Sequence, residues 1–530
     1  MPDWLHEVPA EVAERANALQ DQVLDQLRTI IDPDLLKDIV SLGFIKELKI
    51  DYSKGSVAFD LELTTPACPV KDVFREQAEL LLLQLEWVNT VDVHLTARSA
   101  QAESGYAGAE NAPKNLAGVS AIVAISSGKG GVGKSSVTVN IGYTLARLGA
   151  RVGIVDCDVF GPSLPKLIPI ENPAVYYYNH QSSAANGLDD NERSVKLRKQ
   201  QEMQQGEGGM LPVTHNGVKL MSYGYLRPGD KQYAAIRGPM ASALVYQMLT
   251  QTVWGDLDFL LLDLPPGTGD IHLTVAQSIK LTGHIVVSEP HPLSIVDVRK
   301  GLHMFHEVHI NPLALIINKA FMTCPSCLTS FDHWSEEQTT REQELQLQSL
   351  VEQFGIKFVE RLPFSPAFAR LRKDTHAGPQ FPFVNFCPDD HPVYLKLSHL
   401  CENLIREISI LRFAGDRAPD LRQLSDGLLR ITLKSDDIDN ILLVPSREVR
   451  LACRCAQCVD EFTHEKKIQE RLLPKSICVV GMQQAGNYAM TLTWSDGHVS
   501  LMAFDYLEKV ARKYVAQKGN GQTCGVEADW

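Results

Sequence analysis

One octapeptide, Gly128-Lys129-Gly130-Gly131-Val132-Gly133-Lys134-Ser135, constrains this chain more than any other feature. It fits G-x-x-x-x-G-K-[ST] and lies between an apolar run at residues 119–125, which reads as a buried strand, and a helical pattern at 137–148. Glycines let backbone N–H groups wrap around phosphates, and the following helix adds the positive end of its dipole. The loop from Gly128 to Ser136 is therefore expected to cradle ATP. Lys134 would reach the β- and γ-phosphates, and the Ser135 hydroxyl would ligate Mg²⁺. A strand–loop–helix unit of this kind demands an α/β core.

The surrounding sequence supplies one. Short apolar runs at 152–155, 259–262, 285–287, 313–317 and 358–359 alternate with helical stretches, the pattern of a parallel sheet covered on both faces. Two acidic elements follow strands of this set. Asp156-Cys157-Asp158 comes after the second strand, and Asp263 opens Leu264-Pro265-Pro266-Gly267-Thr268-Gly269-Asp270. Phosphoryl transfer needs a carboxylate near Mg²⁺ and a group that positions the attacking water. Asp263 is assigned to the first role and Asp158 to the second. The Pro-Pro-Gly-Thr-Gly stretch is a natural switch loop, and Asp270 serves equally well as a helix N-cap.

At 530 residues the chain is too long for one ordinary core. Three units emerge: a small α+β unit at 1–98, the α/β unit at 117–411, and a second small α+β unit at 420–515. Residues 99–116 read as a linker and 171–209 as a polar insertion. The net charge of -13 argues against non-specific nucleic-acid or anionic-membrane binding, and no apolar run is long enough to span a bilayer. The first ten residues, with Asp3, His6 and Glu7, form neither a secretory signal nor a transit peptide. A soluble cytoplasmic protein is expected, or one whose targeting segment lies outside this chain.

Of eleven cysteines, five fall in two clusters, Cys324/Cys327 and Cys453/Cys455/Cys458. Such spacing reads as metal ligation. Cys324-Pro325-Ser326-Cys327 offers two thiolates where iron–sulfur clusters and structural zinc usually want four, and a symmetric dimer supplies the other two on its axis. The same spacing also serves thiol exchange. Cys68 precedes a helix predicted to begin near Val70, and a helix N-terminus favours the thiolate, so Cys68 is a candidate transfer thiol; a buried, inert cysteine is the alternative.

Taken together, Asp158-Val159-Phe160-Gly161-Pro162-Ser163, Arg237-Gly238-Pro239-Met240, the Asp263–Asp270 stretch and Cys324-Pro325-Ser326-Cys327 resemble the Mrp/ApbC family of iron–sulfur carrier ATPases. Lys129, the second lysine of the loop, resembles the one that in deviant-loop ATPases reaches the partner subunit's nucleotide, which implies a homodimer. The resemblance further implies a [4Fe–4S] cluster at Cys324 and Cys327, apo iron–sulfur client proteins, upstream cluster-assembly factors, and Asn318 as an adenine reader. Residues 34–40 and 64–69 resemble a metal–sulfur assembly domain. Cys453-Arg454-Cys455-Ala456-Gln457-Cys458 with Trp494-Ser495-Asp496-Gly497-His498 resembles the N-terminal domain of gamma-butyrobetaine hydroxylase-like proteins, which implies zinc held by Cys453, Cys455, Cys458 and His498; a second cluster is the alternative. The three-unit layout is similar to a plastid branch of the carrier family, and with it the chloroplast stroma is the implied compartment. The rival reading is a partitioning or positioning ATPase acting on DNA or membrane, which the acidic charge and the C-terminal cysteines disfavour.

Overall fold

The computed structural model describes residues 10–35, 37–63, 65–97, 113–170, 173, 175, 209–226, 238–308, 310–323, 329–332, 337–365, 372–374, 378–380, 382–413, 419–424, 427–433, 440–453, 455, 457–459, 466–468, 471, 473–474, 476–485 and 489–518. These form two compact units. The first comprises Met1–Val123, Ser135–Asp263 and Pro366–Ile410; the second comprises Ala124–Lys134, Leu264–Ser365 and Leu411–Trp530. The expected linker and insertion fall largely outside the described residues.

The first unit opens with a helix, Ala10–Leu27, and a three-stranded sheet of β1 (Ile45–Asp51), β2 (Ser56–Leu63) and β3 (Thr90–Ala97) in that order. β1 and β2 are antiparallel, whereas β2 and β3 are parallel. Parallel neighbours need a crossover, and the helix Lys71–Leu82 provides it. Its buried residues Phe74, Ala78 and Leu82 recur every four positions, so one stripe faces the core. Along β2, Val57, Phe59, Leu61 and Leu63 are buried and alternate with partly exposed residues, as a strand with one covered face requires.

The α/β sheet runs through this unit as β4-β8-β5-β7-β6, from β4 (Val119–Ser127), β5 (Val152–Asp156), β6 (Val213–His215), β7 (Val218–Ser222) and β8 (Leu257–Pro266). β5 is parallel to both β7 and β8, while β6 closes the edge antiparallel to β7. All nine residues of β4 are buried, and Leu260, Leu261 and Leu262 on β8 are fully so. Each buried Val, Ile or Leu among these contributes roughly 1.5–3 kcal/mol.

In the second unit the order is β11-β10-β9-β4, with β9 (Gly283–Ser288), β10 (Pro312–Thr323), β11 (Ser330–Asp332) and β12 (Phe358–Pro363), β12 pairing with β10. β9 and β12 lie parallel to β10, and β11 is antiparallel. The sheet is thus mixed: parallel pairing joins the longer strands, while the short strands β6 and β11 attach through antiparallel pairing. Short apolar runs mark buried strands in sequence but carry no signal for polar edge strands. Val286, Leu302, Leu315, Ile317, Leu350 and Phe354 pack together from β9, β10 and the helices Pro292–Glu307 and Glu337–Phe354. Back in the first unit, β13 (Arg372–Asp374) and β14 (Gly378–Gln380) form an antiparallel pair.

The C-terminal part contains two antiparallel three-stranded sheets, β15 (Asp420–Gln423), β16 (Leu428–Leu433) and β17 (Asn440–Pro445), then β18 (Val479–Ala485), β19 (Ala489–Trp494) and β20 (Val499–Ala503). Leu429, Ile431, Val444, Leu492, Trp494 and Leu507 share one core, the last from the helix Phe504–Lys518. Among the described residues no helix is long and apolar enough to cross a membrane.

His284 on β9 is 1% exposed and stacks on Phe305, with ring centroids 4.3 Å apart. Burial pushes its pKa down to about 3. Between that value and the ordinary 6.5 the unfolded chain binds the extra proton, so stability is present above pH 6.5 and is lost as pH falls. The urea midpoint should therefore drop from pH 7.5 to pH 5, and His284→Phe should shrink that drop; an equal drop in both proteins would contradict this placement.

Candidate functional site

The phosphate-loop sequence passes from the second unit into the first at Lys134–Ser135. Within the second unit, the loop leaves β4 and is fixed from outside. Gly267 N–H donates to the Ser127 carbonyl at 2.9 Å, tying the end of β4 to the switch stretch. Asn318 Nδ2 donates to the Val132 carbonyl at 2.8 Å, and Lys319 Nζ donates to the Gly131 carbonyl at 2.7 Å. Gly133 has φ +89, and a Cβ there would collide with the Asn318 amide. Gly128 is equally constrained, because a Cβ would lie 2.7 Å from the Asp297 backbone carbon.

Lys129 is ion-paired with Glu289, which lies just after β9. Lys319 Nζ stands 3.7 Å from the other carboxylate oxygen. Partial burial alone would raise the Glu289 pKa, but the hydrogen bond and charge of Lys129, with the charge of Lys319, hold it below the ordinary value. His272, on the helix Asp270–Ser278, is fully buried; burial and the charge of Lys134 push its pKa down to about 4. Its imidazole is neutral at pH 7.

Within the first unit, Ser135 begins the stretch that continues as the helix Lys134–Arg147. Thr138, one turn along it, donates from Oγ1 to Asp263 Oδ1 at 3.0 Å. Asp263 is 3% exposed, and its carbonyl accepts from Cys157 N–H at 2.9 Å. Asp156 organises the loop after β5: Oδ1 accepts from Asp158 N–H at 3.1 Å, and Oδ2 from Ser163 N–H at 2.9 Å, Leu164 N–H at 3.0 Å and Ser222 Oγ at 3.1 Å. Asp158 accepts from Gly161 N–H at 3.1 Å. Sequence reading picked out Asp158 and Asp263 and missed Asp156, Thr138, Glu289 and Lys319. Only the acidic Asp156-Cys157-Asp158 pair carried a signal for any of these.

Asn318, expected to read adenine, spends its amide nitrogen on the phosphate loop. The reason is its place at the end of the β10 pairing with β9, where Lys319 turns into left-handed backbone with φ 57. Asn318 Oδ1 has no hydrogen-bond partner among the described residues. Cys324 and Cys327 lie outside the described residues, Cys324 one residue beyond β10, which ends at Thr323.

Cys68 is half-buried. It precedes the helix Lys71–Leu82, yet burial pushes its thiol up to about 11, with the charges of Asp32 and Asp34 adding to the effect. Desolvation outweighs the helix end. Cys68 lines a small open cleft together with Asp32, Asp34, Phe44, Leu63, Ile405 and Arg406. Arg406, on the helix Pro392–Phe413, pairs with Asp34 at 2.6 Å.

In the C-terminal part, Cys453, Cys455, Cys458 and His498 come together, all their ligand atoms within 4.8 Å of one another. His498 Nε2 lies 3.4, 3.5 and 3.6 Å from the three sulfurs in sequence order. Three thiols and one imidazole converging on a point are the donor set of a tetrahedral metal centre. Among the described residues this is the one group of three or more such donors.

Three known families match consecutive parts of the chain. Residues 118–385 match the NUBPL iron-transfer P-loop NTPases, residues 20–94 an iron-sulfur cluster assembly protein family, and residues 424–508 the gamma-butyrobetaine hydroxylase-like N-terminal domain. The chloroplastic Fe-S cluster assembly factor HCF101 of Oryza sativa subsp. japonica is 37% identical over 514 residues, covering 95% of this chain and 85% of that protein. Its namesake in Arabidopsis thaliana is 35% identical over 499 residues, with 94% and 84% covered. The iron-sulfur cluster carrier protein of Synechocystis is 38% identical over 307 residues, 58% of this chain and 77% of its own length.

A protonated, half-buried thiol reacts slowly. Alkylation of Cys68 by iodoacetamide, followed by peptide mass spectrometry, should be slow at pH 8 and rise toward pH 11, whereas Asp34→Asn should speed it at pH 8 by removing a charge that raises the thiol pKa. Fast labelling of the unaltered chain at pH 7 would count against the buried position.

Proposed function

This chain belongs to the iron–sulfur cluster carrier family of P-loop NTPases, and we propose that it is an ATPase that holds a [4Fe–4S] cluster as cargo between two copies and delivers it to apo iron–sulfur proteins. The observation that carries the reading is similarity along nearly the whole chain to a protein named as an Fe-S cluster assembly factor. Three units are proposed, at 1–98, 117–411 and 420–515, with upstream assembly factors supplying the cluster. The relatives named above as chloroplastic favour the chloroplast stroma as the compartment.

In this reading Lys134 binds the β- and γ-phosphates of ATP, and the backbone from Gly128 to Gly133, with Ser135 and Ser136, completes the cradle. Ser135 and Asp263 serve Mg²⁺, Thr138 orients Asp263, and Asp158 positions the attacking water. Asn318 braces the loop and reads adenine with its remaining oxygen. Lys129 acts on the partner subunit's nucleotide. Glu289 then has a defined role. It holds Lys129 within its own chain until the partner arrives, since the lysine cannot serve both carboxylate and nucleotide at once.

Cys324 and Cys327 supply two cluster thiolates per chain, so two chains make four. The link to ATP runs along β10. Asn318 and Lys319 on that strand touch the phosphate loop, and Cys324 follows Lys319 by five residues, at most about 18 Å of chain. A shift of the loop on hydrolysis is thereby passed to the ligands. Such coupling is reciprocal, so cluster loading alters nucleotide affinity. For the C-terminal centre the donor set fits Zn²⁺, which would lock Cys453, Cys455, Cys458 and His498 together as a structural tie.

Lys134→Ala should abolish ATP hydrolysis in a phosphate-release assay; unchanged turnover would remove Lys134 from the site. Anaerobic reconstitution should yield one cluster per two chains by iron, sulfide and light-scattering measurement. Cys324→Ala and Cys327→Ala should each lose the cluster and keep hydrolysis. A stable cluster on a monomer, or a cluster retained by both variants, would defeat the shared-cluster reading.

A further inference from the structure

The C-terminal metal donors come from two distant segments, the loop carrying Cys453, Cys455 and Cys458 and the turn after Trp494 carrying His498. One side chain reaches both. Arg450, on the helix Ser446–Leu451, has a side chain only 7% exposed. Its Nη1 donates to Cys458 Sγ at 3.2 Å, and its Nε donates to Asp496 Oδ2 at 3.0 Å. The other oxygen of Asp496 accepts from His498 N–H at 3.0 Å. The Arg450 carbonyl in turn accepts from Cys453 N–H at 3.2 Å. One residue is thus bonded to the first cysteine, the last cysteine and, through Asp496, the histidine turn.

A buried guanidinium is costly unless its donors are used, and here they are spent on a sulfur and a carboxylate. Three thiolates and a neutral imidazole around a divalent ion leave one net negative charge, and a cation against Cys458 offsets it. The fork matters as much as the charge. Arginine presents donors in fixed, divergent directions, whereas a lysine ammonium is a single point that cannot span Cys458 and Asp496 in the same way. A hydrogen bond to a ligating sulfur also draws electron density from it and makes it a poorer nucleophile toward outside reagents.

We propose that Arg450 is the positioning residue of this metal centre, aligning Cys458 directly and His498 through Asp496, so that the centre retains its ion instead of passing it on. The proposal rests on the zinc reading given above. It separates this centre from the cargo site at Cys324 and Cys327, where release is the purpose.

The test uses the full chain purified with zinc, titrated with a chromogenic zinc chelator, alongside Arg450→Gln, Arg450→Lys and Asp496→Asn. Both Arg450 variants should bind zinc about 10–100-fold more weakly and release it faster under excess iodoacetamide. Asp496→Asn should shift both readings in the same direction. With cobalt(II) in place of zinc, the thiolate-to-metal absorption should move in the Arg450→Lys variant, which a purely structural ion pair would leave unchanged. Unaltered affinity, release rate and cobalt spectrum in Arg450→Lys would overturn the proposal, and that variant decides the question if Arg450→Gln does not fold. If the unaltered chain takes up no zinc, the metal reading itself falls and the Arg450 role with it; zinc bound equally by all four proteins defeats the Arg450 role alone.

Discussion

Around β4, β9 and β10 the structure turns on holding a loop of backbone open. A phosphate loop binds anions through N–H groups that point outward, so it cannot satisfy itself by folding into helix or sheet. It must be braced from outside, and the braces come from the strand ends beside it. Gly267 holds Ser127, Asn318 holds Val132, and Lys319 holds Gly131. Each brace bonds to a carbonyl and takes up none of the loop's own amide N–H groups. The glycine at 133 is required because its neighbour is the brace itself.

The same braces coincide with a break in the pairing of β10. Its first half pairs in parallel with β9 and β12, and its register with β12 shifts between Ile317 and Phe321, where Asn318 and Lys319 reach the loop. Its last residues pair with β11, and the chain then enters Cys324. In the proposed cycle, sensing nucleotide and presenting cluster ligands fall to consecutive stretches of one strand. The C-terminal centre is built on the opposite principle. There three cysteines and a histidine gather, and a buried arginine bonds to one of the sulfurs and to a carboxylate.

The buried strands were legible because a short apolar run between polar stretches has few alternatives, and β4, β5, β9 and β10 stand where the runs stand. Motif spacing carried the phosphate loop, and the spacing of Cys453, Cys455, Cys458 and His498 brought out a group that the fold gathers. Spacing fails for partners that are remote in sequence. Glu289 lies 160 residues from Lys129, and Thr138 lies 125 from Asp263; no local pattern announces either pair. Cys68 stayed undecided in sequence for a related reason. A helix N-terminus is a local feature, whereas part of the cleft that Cys68 lines comes from a helix more than 300 residues downstream, and burial is the larger effect. The antiparallel edge strands β6 and β11, three residues each, are too short to carry a period.

The central claim is that two chains complete one another, with Lys129 serving the partner's nucleotide. A mixed dimer of Lys129→Ala and Lys134→Ala chains, isolated with two different affinity tags, measures this directly through its ATP turnover. If Lys129 works across the dimer, both defects fall on the same nucleotide site, one intact site remains, and turnover should be about half that of the unaltered dimer. If Lys129 works within its own chain, each site carries one defect, and the mixed dimer should be as inactive as either parent variant.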